Sequence, residues 1–489
     1  MKLSELLNKI STTQVTGSIP DTDLAGIEYD SRKVEKNSLF VAIKGFKADG
    51  HNFIQNALNS GASAIILDNE EAVPEGLFKA YDAIKILVKD SRIAMAEASN
   101  IFYGEPSKKM NMIGITGTNG KTTTSYFVKN ILEQAGFKTG LIGTINNYIS
   151  DEKLSSRLTT PESNELNKLL CEMHSAGCKY VVMEVSSHSL ALNRVYSIDF
   201  NSAVFTNLTA EHLDFHQNFE KYLEAKKLLF DSLPEGSLAL YNADEIHSID
   251  VMKDCTAIKY RYGSAADADF KIENINYNLN GTSFIISLKG SGYNIETTLV
   301  GDFNAYNACA AFAVSVLSGI TPDDAQSGIK VTPQVPGRFE VFNNGSRKII
   351  IDYSHTPDGL EKALLAIQNL KSEEQTVYTV FGCGGNRDKQ KRPLMGKIAT
   401  ELSDKVIITS DNPRDEDPFS IIEEIKSSIE KDNYRVIENR EEAIKEAIVN
   451  GKKNSVVLIA GKGHEDYQEI NGVRSHFSDR EVAEKYLHN

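Results

Sequence analysis

The sequence predicts an α/β protein of three domains, and two stretches carry that prediction. In the last third, the apolar runs KIIIDYS, QTVYTVFG, KVIITSD and SVVLIAG alternate with helical stretches such as DGLEKALLAIQNL and DPFSIIEEIKSSIEK. Strand and helix alternating in this way give βαβ units, hence a parallel sheet with helices on both faces. In the middle third, MIGITGTNGKTTTSYFVKNILEQAG reads as a short strand, a glycine-rich turn and a helix. Phe127, Val128, Ile131 and Leu132 share one face of that helix, and Gly136 stops it.

Texture changes mark the divisions. GEPSKKMNM at 104–112 and the proline-interrupted VTPQVPGR at 331–338 read as linkers, giving segments 1–108, 109–334 and 335–489. A chain of 489 residues fits about three domains. With 41% hydrophobic and 25% charged residues it has the composition of an ordinary soluble protein. Its apolar runs fall far short of the ~18 residues of a membrane span, so no membrane insertion is expected. The opening MKLSELLNKISTTQ lacks the apolar core of a secretory signal. Five scattered cysteines (Cys171, Cys178, Cys255, Cys309 and Cys383) form no CxxC pair, which suggests a reducing cytoplasm and no structural zinc. A net charge of −14 argues against a nucleic-acid partner and requires positive charge to be concentrated wherever an anionic substrate binds.

Chemistry concentrates at a few points. Strand, glycine loop and helix start is the geometry that aims backbone N–H groups at phosphates. Gly117, Thr118, Asn119, Gly120, Lys121, Thr122 and Thr123 form that loop, with Lys121 reaching the terminal phosphates of a nucleotide and the Thr122 hydroxyl placed for Mg²⁺. The spacing departs from the common phosphate-loop pattern, because Ile115 stands where a first glycine is usual. Glu184 ends the strand YVVMEVSSHS and is either a cation ligand or a polar strand end. In the helix FEKYLEAKKLLFDSL, Lys226 falls on the apolar face of Phe219, Tyr222, Leu223, Leu229 and Phe230, while Lys227 lies about 100° away. An inward lysine is either a snorkelling stem or a functional group of altered charge.

Ligands of parallel sheets bind beyond the carboxyl ends of the strands. In the last segment those ends carry HTPDG, GCGGNRDKQKRP, DNPRDEDP and GKGHED. Arg414 in DNPRDEDP has four carboxylates for neighbours. It is either paired off in a solvated turn or held out for a ligand.

The order and content of YDSRKVEKNSLFVAIKGFKADGHNF, GTNGKTTT, RLTTPES, MEVSSHSLALNRV, NLTAEHLDFH, GDFNAYNACAA, PGRFE, DYSHTPDGL, GCGGNRDKQKRP, DNPRDEDP and GKGHEDYQ resemble the Mur ligase family, along all three segments. The resemblance implies a UDP-substrate-binding domain, a central ATPase domain of phosphate-loop type with a mostly parallel sheet, and a C-terminal Rossmann-like domain that binds an amino acid. It implies a reaction in which the D-glutamate carboxylate of UDP-MurNAc-L-Ala-D-Glu takes the γ-phosphate of ATP. The amine of meso-diaminopimelate then displaces phosphate, a step of peptidoglycan precursor synthesis. Without a Ser or Cys nucleophile, such an enzyme works by positioning and charge neutralisation.

Carried over by position, Ser31, Thr159, Thr160, Ser186 and Arg194 are the contacts to the UDP-muramoyl dipeptide. Asn307, Arg338 and Asp352 join residues 117–123 in the ATP site. Glu184, Thr122 and His212 belong to the Mg²⁺ site, and Lys226 is carbamylated, which turns an inward cation into an anion. Lys121, Lys226 and His212 are then the catalytic group. Arg387, Asp411, Asn412, Pro413, Arg414, Gly461 and Glu465 form the diaminopimelate pocket. A cytoplasmic monomer is expected. Two rivals remain open: a folylpolyglutamate synthase, whose pattern lacks DSRKV and DNPR, and a nucleotide-driven switch without catalysis.

Overall fold

The structure, a computed structural model, describes residues 1–19, 23–46, 48–74, 76–343 and 347–487. Three sheets organise it, each with its own core. The first has five strands in the order Gln14–Thr16, Ile84–Leu87, Ala64–Leu67, Leu39–Val41 and Ile27–Glu28, all parallel except the first. Helix Ser91–Phe102 packs on it and starts at Asp90, whose carboxylate accepts from the backbone N–H groups of Arg92 and Ile93.

The central sheet has eleven strands. Its middle is parallel, with Asn111–Thr116 lying between Ser202–Phe205 and Tyr180–Glu184. Helices Lys121–Gln134 and Asp302–Leu317 cover one face, burying Phe127, Val128, Ile131 and Leu132 as their spacing requires. The mostly parallel expectation needs one addition: both ends are antiparallel. Phe270–Asn278, Gly281–Leu288 and Ser291–Thr297 form a meander at one edge, and Asn146–Ile149 with Glu152–Ser155 a hairpin at the other. Glycines at positive φ, Gly281 and Gly290, make the turns of the meander.

The third sheet has six strands in the order Glu340–Asn343, Arg347–Asp352, Ser455–Ala460, Thr376–Phe381, Lys405–Ile408 and Tyr434–Val436. All but the first are parallel, so the four glycine- and charge-rich loops emerge together at one edge. Two of the loops end in helix caps: Thr356 accepts from Gly359 N and Asp417 from Ser420 N, each followed by proline at the first helical position. The second of these helices stops at Lys426, short of the stretch expected from DPFSIIEEIKSSIEK. The Ser427 hydroxyl donates to the Glu424 carbonyl at 2.8 Å, competing with the helical ladder. All five cysteines are free thiols. Among the described residues no helix is long and apolar enough to cross a membrane.

Candidate active site

The chain leaves strand Asn111–Thr116 toward one side of the sheet and later returns on the other, so the loop after it sits at a topological switch point. Gly117 (φ +148°) presses against the Thr206 hydroxyl, where any Cβ would collide, and Gly120 (φ +88°) opens the helix beside Asn307. Asn207 Oδ1 accepts from Asn119 N at 2.9 Å, and Thr206 donates to the Asn119 carbonyl at 2.6 Å. Lys121 Nζ donates to the carbonyls of Gly117 and Thr118, each at 2.8 Å.

Lys226 meets the same carbonyl: its Nζ donates to Gly117 O at 2.8 Å and stands 4.6 Å from the centre of the Tyr222 ring. Only 1% of the residue is exposed, which excludes a snorkelling stem. Burial pushes its pKa well below the ordinary lysine range, and nearby Lys121 pushes it further. Lys227 points elsewhere, to Asp231 at 2.7 Å and Asp254 at 2.5 Å. Glu211, beside this pair of amines, would be raised by burial, but His212, His355 and Lys121 hold it well below the usual carboxylate range. His212 is pushed down to about 4, chiefly by burial, with Lys226 and Lys121 adding to the shift. At neutral pH its imidazole is therefore uncharged and free to ligate or donate.

On the far side of Lys121, the Thr122 hydroxyl donates to Glu184 Oε2 at 2.8 Å, and Thr144 holds both oxygens of that fully buried carboxylate. Of the four expected metal-site residues, Thr122 and Glu184 are joined by a hydrogen bond, and His212 feels the charge of Lys226. Among the described residues no three His, Cys, Asp or Glu side chains gather into a ready-made cage. A carboxylate with a hydroxyl suits a hard cation that keeps waters and takes phosphate oxygens as its other ligands, which is how Mg²⁺ binds. The residues fit that ion.

Thr159, Thr160, Ser186 and Arg194 are brought together next to Glu184. Thr160 donates to the Glu184 carbonyl at 2.8 Å and accepts from Ser186 N at 3.2 Å, while Thr144 and Thr159 share a 3.1 Å hydroxyl bond. Arg194 reaches the Thr160 carbonyl and forms a 2.8 Å ion pair with Glu162. Ser31 lies in the turn Ser31–Lys33, which leans on the same segment through Lys33 with Glu165 and Tyr29 with Arg157.

The third sheet closes over this floor. Arg338 donates to Thr122 Oγ1 at 3.1 Å and stacks 4.6 Å from the Tyr353 ring centre, Asn119 donates to Asp358 at 2.8 Å, and His355 Nε2 lies 3.0 Å from Glu211 Oε1. Between the two domains is a cavity of about 350 Å³, lined by Asn119, Thr123, Asn307, Arg338 and Asp352 among others. Asp352 accepts from Phe339 N at 2.7 Å, yet burial raises its pKa to about 6. Its folded pKa exceeds the unfolded one, so its contribution to stability is complete below pH ~4 and is lost as pH rises through ~6. Asp352→Asn should therefore be more stable than wild type at pH 8 by ~1–2 kcal/mol, water in the cavity screening part of the full shift. Urea midpoints should show that gap closing at pH 4.5.

Arg414 answers the question its loop poses. Asp417 caps a helix, Asp415 accepts from Asn386 at 3.2 Å, and Glu416 binds the fully buried Arg392 at 2.9 Å. Asp411 turns toward Gly461, where a Cβ would stand 2.7 Å from its Oδ2. The Arg414 guanidinium has no carboxylate partner among the described residues and donates to the Gly385 carbonyl at 2.7 Å. Its backbone is left-handed (φ +52°) and is pinned through Arg414 N to the Glu469 carbonyl and Asn471 N to the Arg414 carbonyl. Pro413 packs on Gly385 so tightly that a Cβ there would collide. In the same loop as Arg414, Asn412 is joined to Glu465 at 2.8 Å and Asp411 faces the Gly461 turn. Exposed Arg387 borders the same cleft: a Cβ on Gly384 would stand 2.9 Å from Arg414 Nη1 and 3.9 Å from Arg387 Cγ.

The sequence reading missed Glu211, His355, Asn207 and Thr144. Each is a polar residue in or near a motif, but its partner is distant in the chain, such as 144 residues for Glu211 and His355.

Comparison with known proteins accords with this arrangement. Family models described as Mur ligase family, catalytic domain; Mur ligase middle domain; and Mur ligase, glutamate ligase domain match residues 23–103, 115–315 and 337–463. A Clostridium tetani protein named UDP-N-acetylmuramoyl-L-alanyl-D-glutamate--2,6-diaminopimelate ligase is 43% identical over 100% of this chain and 99% of its own length. Its namesake from Bacillus velezensis is 44% identical over 99% of this chain and 98% of its own length. A solved structure of a ligase of that name aligns with a TM-score of 0.70 at 31% identity, covering 100% of this chain and 99% of that one. Mycobacterium tuberculosis folylpolyglutamate synthase, complexed with ADP and AMPPCP, shares the fold at a TM-score of 0.64 and 19% identity, but covers 76% of this chain and 92% of its own. With the three family models matched in chain order and 43% identity kept from end to end, this chain belongs to the Mur ligase family.

Proposed function

We propose that this protein is an ATP-dependent ligase that joins meso-2,6-diaminopimelate to UDP-N-acetylmuramoyl-L-alanyl-D-glutamate in peptidoglycan precursor synthesis. The glutamyl carboxylate attacks the γ-phosphorus of ATP, the bridge to ADP breaks, and an acyl phosphate forms. The amine of diaminopimelate then attacks the acyl carbon; phosphate leaves with its bonding pair and the amine nitrogen gives up a proton. The observation that carries the reading is Arg414, a guanidinium without a carboxylate partner among the described residues, its backbone pinned at a strand-end loop by Glu469 and Asn471.

Residues 117–123 cradle the phosphates, Asn307, Arg338 and Asp352 border the nucleotide cavity, and Thr159, Thr160, Ser186 and Arg194 receive the dipeptide. Ser31 marks the uridine side, on the 1–108 domain. Thr122 and Glu184 would hold one Mg²⁺, with His212 and a carbamate on Lys226 beside the other phosphate oxygens; bound there, the ion neutralises phosphate charge. The depressed pKa of Lys226 supports carbamylation, because only a neutral amine adds CO₂. The cross-domain contacts of Arg338, Asn119 and His355 support closure that completes the site and excludes water. The free cysteines support a cytoplasmic setting.

Labelling the glutamyl carboxylate with ¹⁸O tests the mechanism: one labelled oxygen per turnover should appear in inorganic phosphate, and label-free phosphate would refute the acyl phosphate. Lys121→Ala should fold normally and lose at least ~3 kcal/mol of transition-state stabilisation, about 10²-fold in kcat/KM. Near-normal turnover in a folded variant would remove Lys121 from the phosphate site.

A further inference from the structure

Lys462, in the middle of GKGHED, is fully buried, although lysine is among the side chains least often found inside. Positive φ at Gly461 (+116°) and Gly463 (+54°) lets the turn reverse on both sides of it. A Cβ on Gly463 would stand 2.8 Å from the Gly337 carbonyl, so the turn is wedged beneath Arg338. Lys462 Nζ donates to Asn412 Oδ1 at 3.1 Å and Glu465 Oε2 at 3.3 Å, and stands 5.4 Å from the centre of the Tyr467 ring. Asn412 Oδ1 also accepts from Glu469 N at 3.0 Å, which leaves only the amide nitrogen to face Glu465. One buried cation thereby fixes the orientation of Asn412 and the position of Glu465.

We propose that Lys462 is a positioning residue that sets amine specificity, holding Asn412 and Glu465 and balancing their charge so that the pocket fits an amino-acid head rather than a lone ammonium. This rests on the function proposed above. This end of the pocket carries four charges, the carboxylates of Asp411 and Glu465 and the cations of Arg414 and Lys462, with Glu465 and Lys462 paired at 3.3 Å. Without Lys462 that end carries excess negative charge and welcomes a bare ammonium. With it, only a group bearing both −NH₃⁺ and −COO⁻ leaves every charge compensated. The other buried cation nearby, Arg440, is committed to Asp479 through two 2.7 Å bonds. Arg387, beside Arg414 at Gly384, is exposed, so water screens its charge.

The test compares wild type, Lys462→Met and Lys462→Gln in steady-state ligation with meso-diaminopimelate and with L-lysine. In Lys462→Met, KM for diaminopimelate should rise at least about tenfold, while KM for ATP and for the UDP-dipeptide stays within about twofold. The diaminopimelate-to-lysine ratio of kcat/KM should fall at least about tenfold. A purely structural role would instead lower kcat for both amines equally and leave that ratio unchanged, which would overturn the proposal. If Lys462→Met fails to fold, Lys462→Gln, which keeps a donor toward Asn412 Oδ1 but carries no charge, is read in its place, and wild-type discrimination there overturns the proposal equally. Failure of the parent reading is separate: it shows in the wild-type arm, as equal use of lysine.

Discussion

Lys226→Ala should fold and lose ligase activity by at least about 10³-fold, and a small carboxylic acid such as acetate should restore part of it. The loss is large because the residue sits at the phosphate loop itself, bonded at 2.8 Å to the Gly117 carbonyl that Lys121 also holds. Removing one preorganised electrostatic group at such a site costs ~10²–10³-fold, and in the proposed mechanism the group removed also completes the cation site. Rescue follows from the chemistry assigned to it. Addition of CO₂ to the neutral amine forms a carbamate anion and releases a proton, and a free carboxylate can occupy the space left by the truncated side chain. Lys227→Ala is the control. Its half-buried amine lies between Asp231 and Asp254, away from the phosphate loop, and activity should change by less than about twofold. An essential Lys227 with a dispensable Lys226 would contradict the assignment.

Arg414→Ala has the second large effect. Diaminopimelate and lysine present the same chain and amine, but only diaminopimelate ends in a second carboxylate, which a guanidinium can grip through two parallel bonds. The acids around Arg414 are committed elsewhere, Glu416 to Arg392 and Asp417 to a helix cap, so substrate meets no internal competitor. Bound lysine leaves the guanidinium desolvated and unpaired at a cost of roughly 3–5 kcal/mol, a 10²–10³-fold or greater discrimination. The variant should lose about that factor in kcat/KM for diaminopimelate, with its residual preference shifted toward lysine. Unchanged diaminopimelate kinetics would return Arg414 to the status of a surface turn.

How much of this was legible in the chain depends on the distance over which each feature is decided. Helix phase is local, so the burial of Lys226 and the outward turn of Lys227 followed from the spacing of Tyr222, Leu229 and Phe230. The strand-end loops were readable because apolar runs and glycines mark strands and turns within a few residues. The fate of the acids beside Arg414 was not readable, since Glu416 is claimed by Arg392, 24 residues upstream. Nor was Lys462, whose partner Asn412 is 50 residues away. The cross-domain bond of Glu211 to His355 exists only because two separately folded sheets face each other. The antiparallel edges of the central sheet escaped notice for a different reason: the alternation of FKIENINYN slips by one residue at a bulge, where Asn274 takes a left-handed backbone, and asparagines occupy strand positions.

The central claim is that this Mur ligase selects diaminopimelate by the second carboxylate. One competition measures it: purified protein with ATP, Mg²⁺, UDP-N-acetylmuramoyl-L-alanyl-D-glutamate and equal concentrations of meso-diaminopimelate and L-lysine, the tripeptide products then counted by mass. The diaminopimelate product should exceed the lysine product by at least about 10²-fold. Equal amounts of the two, or lysine product in excess, would contradict the account.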